Sequence, residues 1–359
     1  MRLFALPHRL ISGDRPGNAA LSALLVLVLA GLILAPFLFA GARPLDTAAR
    51  ITIFIVLVAS YDLLIGYTGI VSFAHTMFFA LGAYGVALAL VNLGAGFAAI
   101  GLGAVAGMLA ASLIGVVLSL FLLRVRAIFF SMVTLAVAAS FAVLVSQLSW
   151  LTGGEDGLSY SLPRALTPAF RLVDGVVLGA RIDGRLIAYY GVLLISLALF
   201  LIMLRIVNSP FGRVLKAIRE NGFRAEAIGY EVASFRMLAN IVAAIFAALA
   251  GSLLAVWTKY TGPSTTLSLE IMTDVLLMVV LGGMGTMYGA VLGVTVFMLM
   301  QNYLQDLMRM ASSLVPIPLL SQLLSPDRWL FWLGVAFVAS VYFFPSGIVG
   351  SLRAWSRKE

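Results

Sequence analysis

Cysteine is absent from this 359-residue chain, so neither a disulfide nor a thiolate metal site is available. Histidine is nearly absent: His8 and His75 are the only two, too few for a histidine-rich metal site. Charge is scarce, at 11% of residues against about 25% in an ordinary soluble domain. No G-x-x-x-x-G-K-[ST] run occurs and no lysine follows a glycine, so there is no phosphate-cradling loop for a nucleoside triphosphate. No G-x-S-x-G elbow occurs either. With no support for catalysis, the chain is expected not to be an enzyme and to bind no metal or cofactor of its own.

What the chain has is apolar length. It is 62% hydrophobic, with a mean hydropathy of +1.09. Ten apolar segments run roughly over 19–41, 51–66, 73–91, 97–123, 127–149, 186–205, 237–257, 271–284, 287–304 and 329–347. Most are close to the ~20 residues a helix needs to cross a bilayer; the second and eighth are short. An open sheet would leave unpaired backbone groups in lipid, so the fold class is all-α, a polytopic transmembrane helical bundle. The first run is longer than the roughly 7–15 residues of a signal-peptide core and is read as a retained helix.

A net charge of +8 would suit nucleic acid, but the basic residues are scattered among loops and sort by side. With the N-terminus inside, ten crossings place Arg2, Arg9, Arg15, Arg124, Arg126, Arg205, Arg353, Arg357 and Lys358 inside, with the basic residues of 208–236. The positive-inside rule then gives an N-in, C-in orientation and leaves no need for nucleic acid. The expected organisation is a cytoplasmic basic tail (1–18), a transmembrane domain (19–350) and a cytoplasmic tail (351–359). Residues 150–186, with Arg164, Arg171, Arg181 and Arg185, form an extracytoplasmic loop, whose LTGGEDGLSY stretch is either a docking loop or a turn. Trp150, Trp257 and Trp329 fall at outer helix ends and Trp355 near the inner face, as in an aromatic belt.

Small residues recur at spacing four: Gly103, Gly107, Ala111, Gly115 and Ser119; Ala239, Ala243, Ala247, Gly251 and Ala255; Gly285, Gly289 and Gly293. Such ladders let helices approach closely in lipid. Two stretches read as broken or re-entrant helices, GYTGIVS at 66–72 and GGMGTMYG at 282–289. Paired glycine interruptions point to a central pathway in transporters, although tight turns at the membrane face give the same pattern. Ionisable groups within the membrane are few: Asp62, His75 and, near the outer boundary, Asp274. Asp62, Tyr67, Thr68, Ser72, His75, Gly282 and Gly283 are therefore the candidate translocation path. Asp62 and His75 better suit buried groups that only hydrogen-bond within the bundle.

Residues 208–236 form a charged island. They hold Arg213, Lys216, Arg219, Arg224 and Arg236 with Glu220, Glu226 and Glu231. Ser209 is placed to cap a helix and Pro210 to open it. Phe211, Val214, Leu215 and Ile218 fall at i, i+3, i+4 and i+7, one apolar stripe, and Gly222 ends the run. This is a short amphipathic helix shaped for a partner to grip, or one lying on the lipid surface.

Several stretches together resemble one family, the LivM-type membrane permeases of branched-chain amino-acid ABC importers. They are GYTGIVSFAHTMFFALGAYGVAL (66–88), LTGGEDGLS (151–159), SPFGRVLKAIRENGFRAEAIGYEVASFRMLANIVAAIFAALAGSLLA (209–255) and LLMVVLGGMGTMYGAVLGV (276–294). The resemblance implies a multi-pass protein of the bacterial inner (plasma) membrane. It implies a second homologous permease chain, two P-loop ATPase subunits that bring ATP and Mg, and an extracytoplasmic substrate-binding protein. It also implies that Phe211, Arg213, Val214, Leu215, Lys216, Ile218, Arg219, Glu220 and Glu226 form the segment coupling to the ATPase, and that transport follows alternating access. Asp62 stands where related permeases commonly carry asparagine, and Ala74 where glycine is frequent, which bears on the substrate. A proton- or sodium-coupled carrier using Asp62 and His75 is the alternative, and has no need of the island. On the sequence alone, Ile218→Asp is expected to uncouple ATP hydrolysis from uptake without unfolding the bundle.

Overall fold

The structure, a computed structural model, describes residues 19–39, 41–122, 127–177, 180–314, 325–344 and 346–355. The expected tail 1–18, Arg124, Arg126, and Arg357 and Lys358 of the C-terminal tail lie outside these residues. Ten helices among the described residues are long and apolar enough to cross a membrane. The long helices are α1 (Ala19–Leu38), α2 (Ala42–Thr68), α3 (His75–Leu93), α4 (Phe97–Leu122) and α5 (Ala127–Gln147). A short α6 (Ser149–Thr152) and strands β1 (Leu158–Ser159), β2 (Arg171–Val177) and β3 (Ala180–Asp183) precede α7 (Gly184–Asn208). Then come α8 (Pro210–Glu220), α9 (Gly222–Ala227), α10 (Val232–Thr258), β4 (Tyr260–Thr261) and α11 (Pro263–Thr266). Helices α12 (Leu269–Gly282), α13 (Met287–Leu314), α14 (Trp329–Phe343) and α15 (Gly347–Trp355) follow among the described residues.

The polytopic helical bundle is as expected, with one addition: two antiparallel strand pairs, β1 with β4 and β2 with β3, sit at one end. We call this the strand end and the opposite one, carrying α8 and α9, the helical end. The LTGGEDGLSY stretch is a structured turn. Gly153, Gly154 and Gly157 have positive φ, and Thr152 Oγ1 donates to the Val145 carbonyl at 2.6 Å. β1 then pairs with β4, while Glu155 and Asp156 stay exposed.

The second span is long where the sequence pattern reads short. Arg50 and Asp46 pair across one turn at 2.8 Å, Arg43 pairs with Asp306 at 2.7 Å, and the Trp257 indole donates to Asp46 at 2.8 Å. With its charges satisfied at the strand end, α2 continues back to Ala42. Trp257 is thus a buried hydrogen-bonding residue, 7% exposed, and no interfacial anchor; Trp150, at 81%, is open.

The small-residue ladders mark the closest approaches. Helices α3, α4 and α10 make the most extensive mutual contacts. A Cβ on Gly82 or Gly251 would overlap the backbone of the facing helix, and Gly103 and Gly107 face Gly85 and Leu81. Asn240 of α10 donates to Ser119 Oγ at 3.0 Å and to the Gly115 carbonyl at 3.1 Å. Ser252 Oγ reaches the Gly82 carbonyl at 3.1 Å. With no hydrophobic drive between helices in lipid, this proximity and these bonds hold the bundle together.

Pro36 lies inside α1 and has no N–H to give the Leu32 carbonyl. The Tyr189 hydroxyl of α7 donates to that carbonyl, and Tyr190 donates to Ile33 at 2.8 Å. Tyr189 is fully buried, so its loss leaves an unpaired carbonyl in an apolar setting. Tyr189→Phe should cost about 1–3 kcal/mol and Tyr190→Phe less, read as lower thermal unfolding midpoints of the purified chain in detergent.

Candidate functional site: two helix breaks joined by an amphipathic helix

At the first break α2 runs through Gly66 and Tyr67 and stops at Thr68, whose hydroxyl bonds the Leu64 carbonyl at 2.7 Å. Gly69, at φ +73°, caps the helix in the left-handed region. Residues 69–74 form no regular element and lead from the end of α2 back to the start of α3. α5 holds them there: Ser131 Oγ donates to the Val71 carbonyl at 2.8 Å, and Thr134 Oγ1 accepts from the Phe73 amide at 3.0 Å. His75 then opens α3 with Nε2 2.8 Å from Ser60 Oγ and its ring 5.2 Å from that of Tyr61. Because α2 continues eight residues beyond Ser60, α3 starts roughly 12 Å inside the end of α2. This is a re-entrant break; a tight turn at the membrane face would not place His75 opposite Ser60.

The second break spans 283–286. Gly283 (φ +113°) and Gly285 (φ +81°) require conformations that side chains rarely adopt. Gly289 packs on the end of α12, and Gly293 lies against the Met278 carbonyl, so α12 and α13 form a close hairpin. Gly347, at the start of α15, presses on Gly283.

The two breaks meet. Asp62 of α2 is 1% exposed, and its Oδ1 accepts the Gly285 amide at 2.8 Å. Gly66 lies between them, where a Cβ would overlap both the Asp62 carboxylate and the Gly285 nitrogen. Arg219 of α8 reaches this point and donates to the Gly66 carbonyl. Its stem passes 3.6 Å from the Cβ position of Gly69. One turn earlier, the Lys216 ammonium sits over the Tyr67 ring, 5.2 Å from its centroid. Helix α8 is thereby fastened to the end of α2, and α2 to the second break.

The apolar stripe of α8 faces inward. Leu215 and Ile218 are buried, Ile218 beside Ala225 and Val232, and Phe211 stacks on Phe235 with centroids 5.8 Å apart. Ile218→Asp would therefore bury a carboxylate in the chain's own packing and is not the clean uncoupling change the sequence suggests. Two local details also differ. The Ser209 hydroxyl bonds back to the Ile206 carbonyl and caps nothing. Asn221 ends α8 and caps α9 by accepting from the Arg224 amide at 3.0 Å, so Gly222 begins a helix. Arg213, Lys216, Glu220 and Glu226 are exposed, as are two apolar side chains, Phe223 at 86% and Ile228 at 72%.

Of the residues read as a path, Asp62, Tyr67, Thr68, Ser72, His75, Gly282 and Gly283 are all buried or at the breaks. Asp62 and His75 hydrogen-bond to different partners, Gly285 and Ser60. Asp274 accepts from Gln301 at 3.2 Å between α12 and α13. Sequence reasoning missed Ser60, Gly66, Gly285, Gly347, Phe223 and Ile228. Ser60 acts through a side-chain bond to His75 that spacing does not reveal, the three glycines act through backbone proximity, and Phe223 and Ile228 were legible as apolar residues in the charged segment after α8.

Residues 43–339 match the family described as branched-chain amino acid transport system / permease component. The high-affinity branched-chain amino acid transport system permease protein LivM of Salmonella typhimurium is 28% identical over 300 residues, covering 80% of this chain and 68% of the relative. Its Escherichia coli counterpart is 29% identical over 299 residues, with the same shares. The autoinducer 2 import system permease protein LsrC of Yersinia enterocolitica is 27% identical over 312 residues, covering 82% and 76%. No solved structure matches the chain.

The Asp62–Gly285 bond gives a direct expectation for stability. Asp62→Asn keeps an acceptor for the Gly285 amide and should unfold near the wild-type temperature. Asp62→Leu leaves that amide unpaired and should cost about 1–3 kcal/mol, seen as an earlier loss of the monodisperse protein on heating in detergent.

Proposed function

Because this chain belongs to the family of branched-chain amino acid transport permeases, we propose that it is the membrane subunit of an ATP-driven importer for branched-chain or related amino acids. It is a multi-pass inner-membrane protein. In this reading it forms half of the translocation path beside a second homologous permease chain. Two P-loop ATPase subunits supply hydrolysis, with ATP and Mg bound there, and an extracytoplasmic binding protein delivers the solute. The helical end faces the cytoplasm, with both chain termini on that side, in accord with the positive-inside rule.

The observation that carries this proposal is the fastening of α8 to the breaks through Arg219 and Lys216. A helix outside the apolar bundle, anchored by its buried stripe and tied to a re-entrant segment, is suited to convey a push from a partner. Phe223 and Ile228 are exposed on the same charged segment as Arg213, Glu220 and Glu226 and in this reading offer that partner an apolar contact. Alternating access then consists of α8 moving with the ATPase and shifting the junction of α2 with the 283–286 break. The solute is an amino acid on family grounds, while the LsrC relative, described as an autoinducer 2 import permease, marks how far solutes range among relatives.

Gentle solubilisation of native membranes and affinity isolation of the tagged chain should recover a P-loop ATPase and a sister permease. Phe223→Asp with Ile228→Asp should lose the ATPase while the chain stays monodisperse. Isolation of the chain alone, with uptake driven by a proton gradient and abolished by Asp62→Asn, would overturn the proposal in favour of a carrier.

A further inference from the structure

At the strand end, between the starts of α2 and α7 and the end of α10, lies a cavity of about 440 Å³. That is within the size range of small-molecule sites, roughly 300–1,000 Å³. Its charged lining is Asp46, Arg50, Arg185 and Lys259, with Trp257 and Tyr260 as aromatic walls. The single carboxylate is already engaged, its two oxygens accepting from Trp257 Nε1 and Arg50 Nε, each at 2.8 Å. Neither Asp183, which caps α7 by accepting the Leu186 amide at 3.0 Å, nor Asp306, which pairs with Arg43, lines the cavity. Arg185 lies over the Trp257 ring at 5.5 Å. Among the described residues neither Arg185 nor Lys259 forms an ion pair. The cavity thus holds two cations without a counter-charge beside an aromatic wall.

Lys259 supplies a second, independent sign. It closes α10 at φ +58°, the one non-glycine residue with positive φ among those described. Glycine is the usual occupant of such a cap, and a lysine there is held in a costly conformation. Strain of this kind clusters at ligand sites, where surrounding structure over-determines it. The neighbouring hydroxyls already donate within the chain, Thr258 Oγ1 to the Tyr260 and Leu254 carbonyls at 2.7 and 2.9 Å and Thr265 Oγ1 to the Gly262 carbonyl at 3.0 Å, which leaves the charge to Arg185 and Lys259.

We propose that this cavity binds the carboxylate of a small amphipathic molecule, with Arg185 and Lys259 supplying the charge and Trp257 and Tyr260 the apolar contact. The inference rests on the transport reading only in taking an aliphatic amino acid as the natural carboxylate. It places a solute contact at the strand end, remote from the junction of the breaks.

The test is equilibrium titration of the full chain in phosphatidylcholine nanodiscs, which needs neither ATPase nor uptake. The probes are L-leucine, 4-methylpentanoate, L-leucinamide and glycerol 3-phosphate. Leucine and 4-methylpentanoate should bind and leucinamide should not. Lys259→Gly, which keeps the left-handed cap while removing the charge, should weaken binding about tenfold or more, as should Arg185→Gln. Circular dichroism and gel filtration of both variants should match the wild type. Equal binding of leucinamide, binding of glycerol 3-phosphate alone, no carboxylate binding, or unchanged affinity in both variants would overturn the site. Carboxylate binding by a chain that is isolated without an ATPase would instead leave the site standing and remove the ATP-driven reading.

Discussion

Inside a bilayer, every backbone N–H and C=O released where a helix stops must find a partner within the protein. This structure stops two helices side by side at the helical end, after Thr68 and after Gly282, and joins both with one arrangement. The Asp62 carboxylate takes the Gly285 amide, the Arg219 guanidinium takes the Gly66 carbonyl, and α5 hydroxyls take the backbone of 71–73. These bonds require the breaks to touch, so glycine is the residue at the points of contact. A side chain at Gly66 or Gly285 would separate the groups that satisfy one another.

From that constraint follows the position of α8. Arg219 bonds the Gly66 carbonyl only because α8 lies flat against the end of α2, and its buried stripe of Leu215 and Ile218 holds it there. The polar face contributes to the junction through Lys216 and Arg219, and the open surface is shared between α8 and residues 221–228. In the proposed importer the element receiving the push and the element that yields are joined by side chains of one helical turn. The cavity at the opposite end is a different kind of site, where Arg185 and Lys259 form no ion pair among the described residues; the junction is built from groups that have found partners.

Much of the fold was legible because the bilayer constrains composition so strongly. Ten apolar runs became ten spans, and the ladders at Gly107 and Gly251 became the closest helix contacts. The start of α2 was missed because Arg43, Asp46 and Arg50 read as loop charges until their partners Asp306 and Trp257, distant in sequence, are seen. The stripe of α8 was found, but periodicity cannot tell a face buried against its own chain from one offered to a partner. Both breaks were visible as glycine clusters. That Asp62 bridges them was not, since the contact spans more than two hundred residues.

The central claim is that α8 and the two breaks form one mechanical unit through Arg219. It is tested most directly by amide hydrogen exchange on the full chain in nanodiscs, comparing wild type with Arg219→Gln. The account predicts faster exchange, by about tenfold or more, at the Gly285 amide and across 283–286 as well as at 69–74. Exchange that changes only within α8 itself, with Gly285 as protected as before, would contradict it.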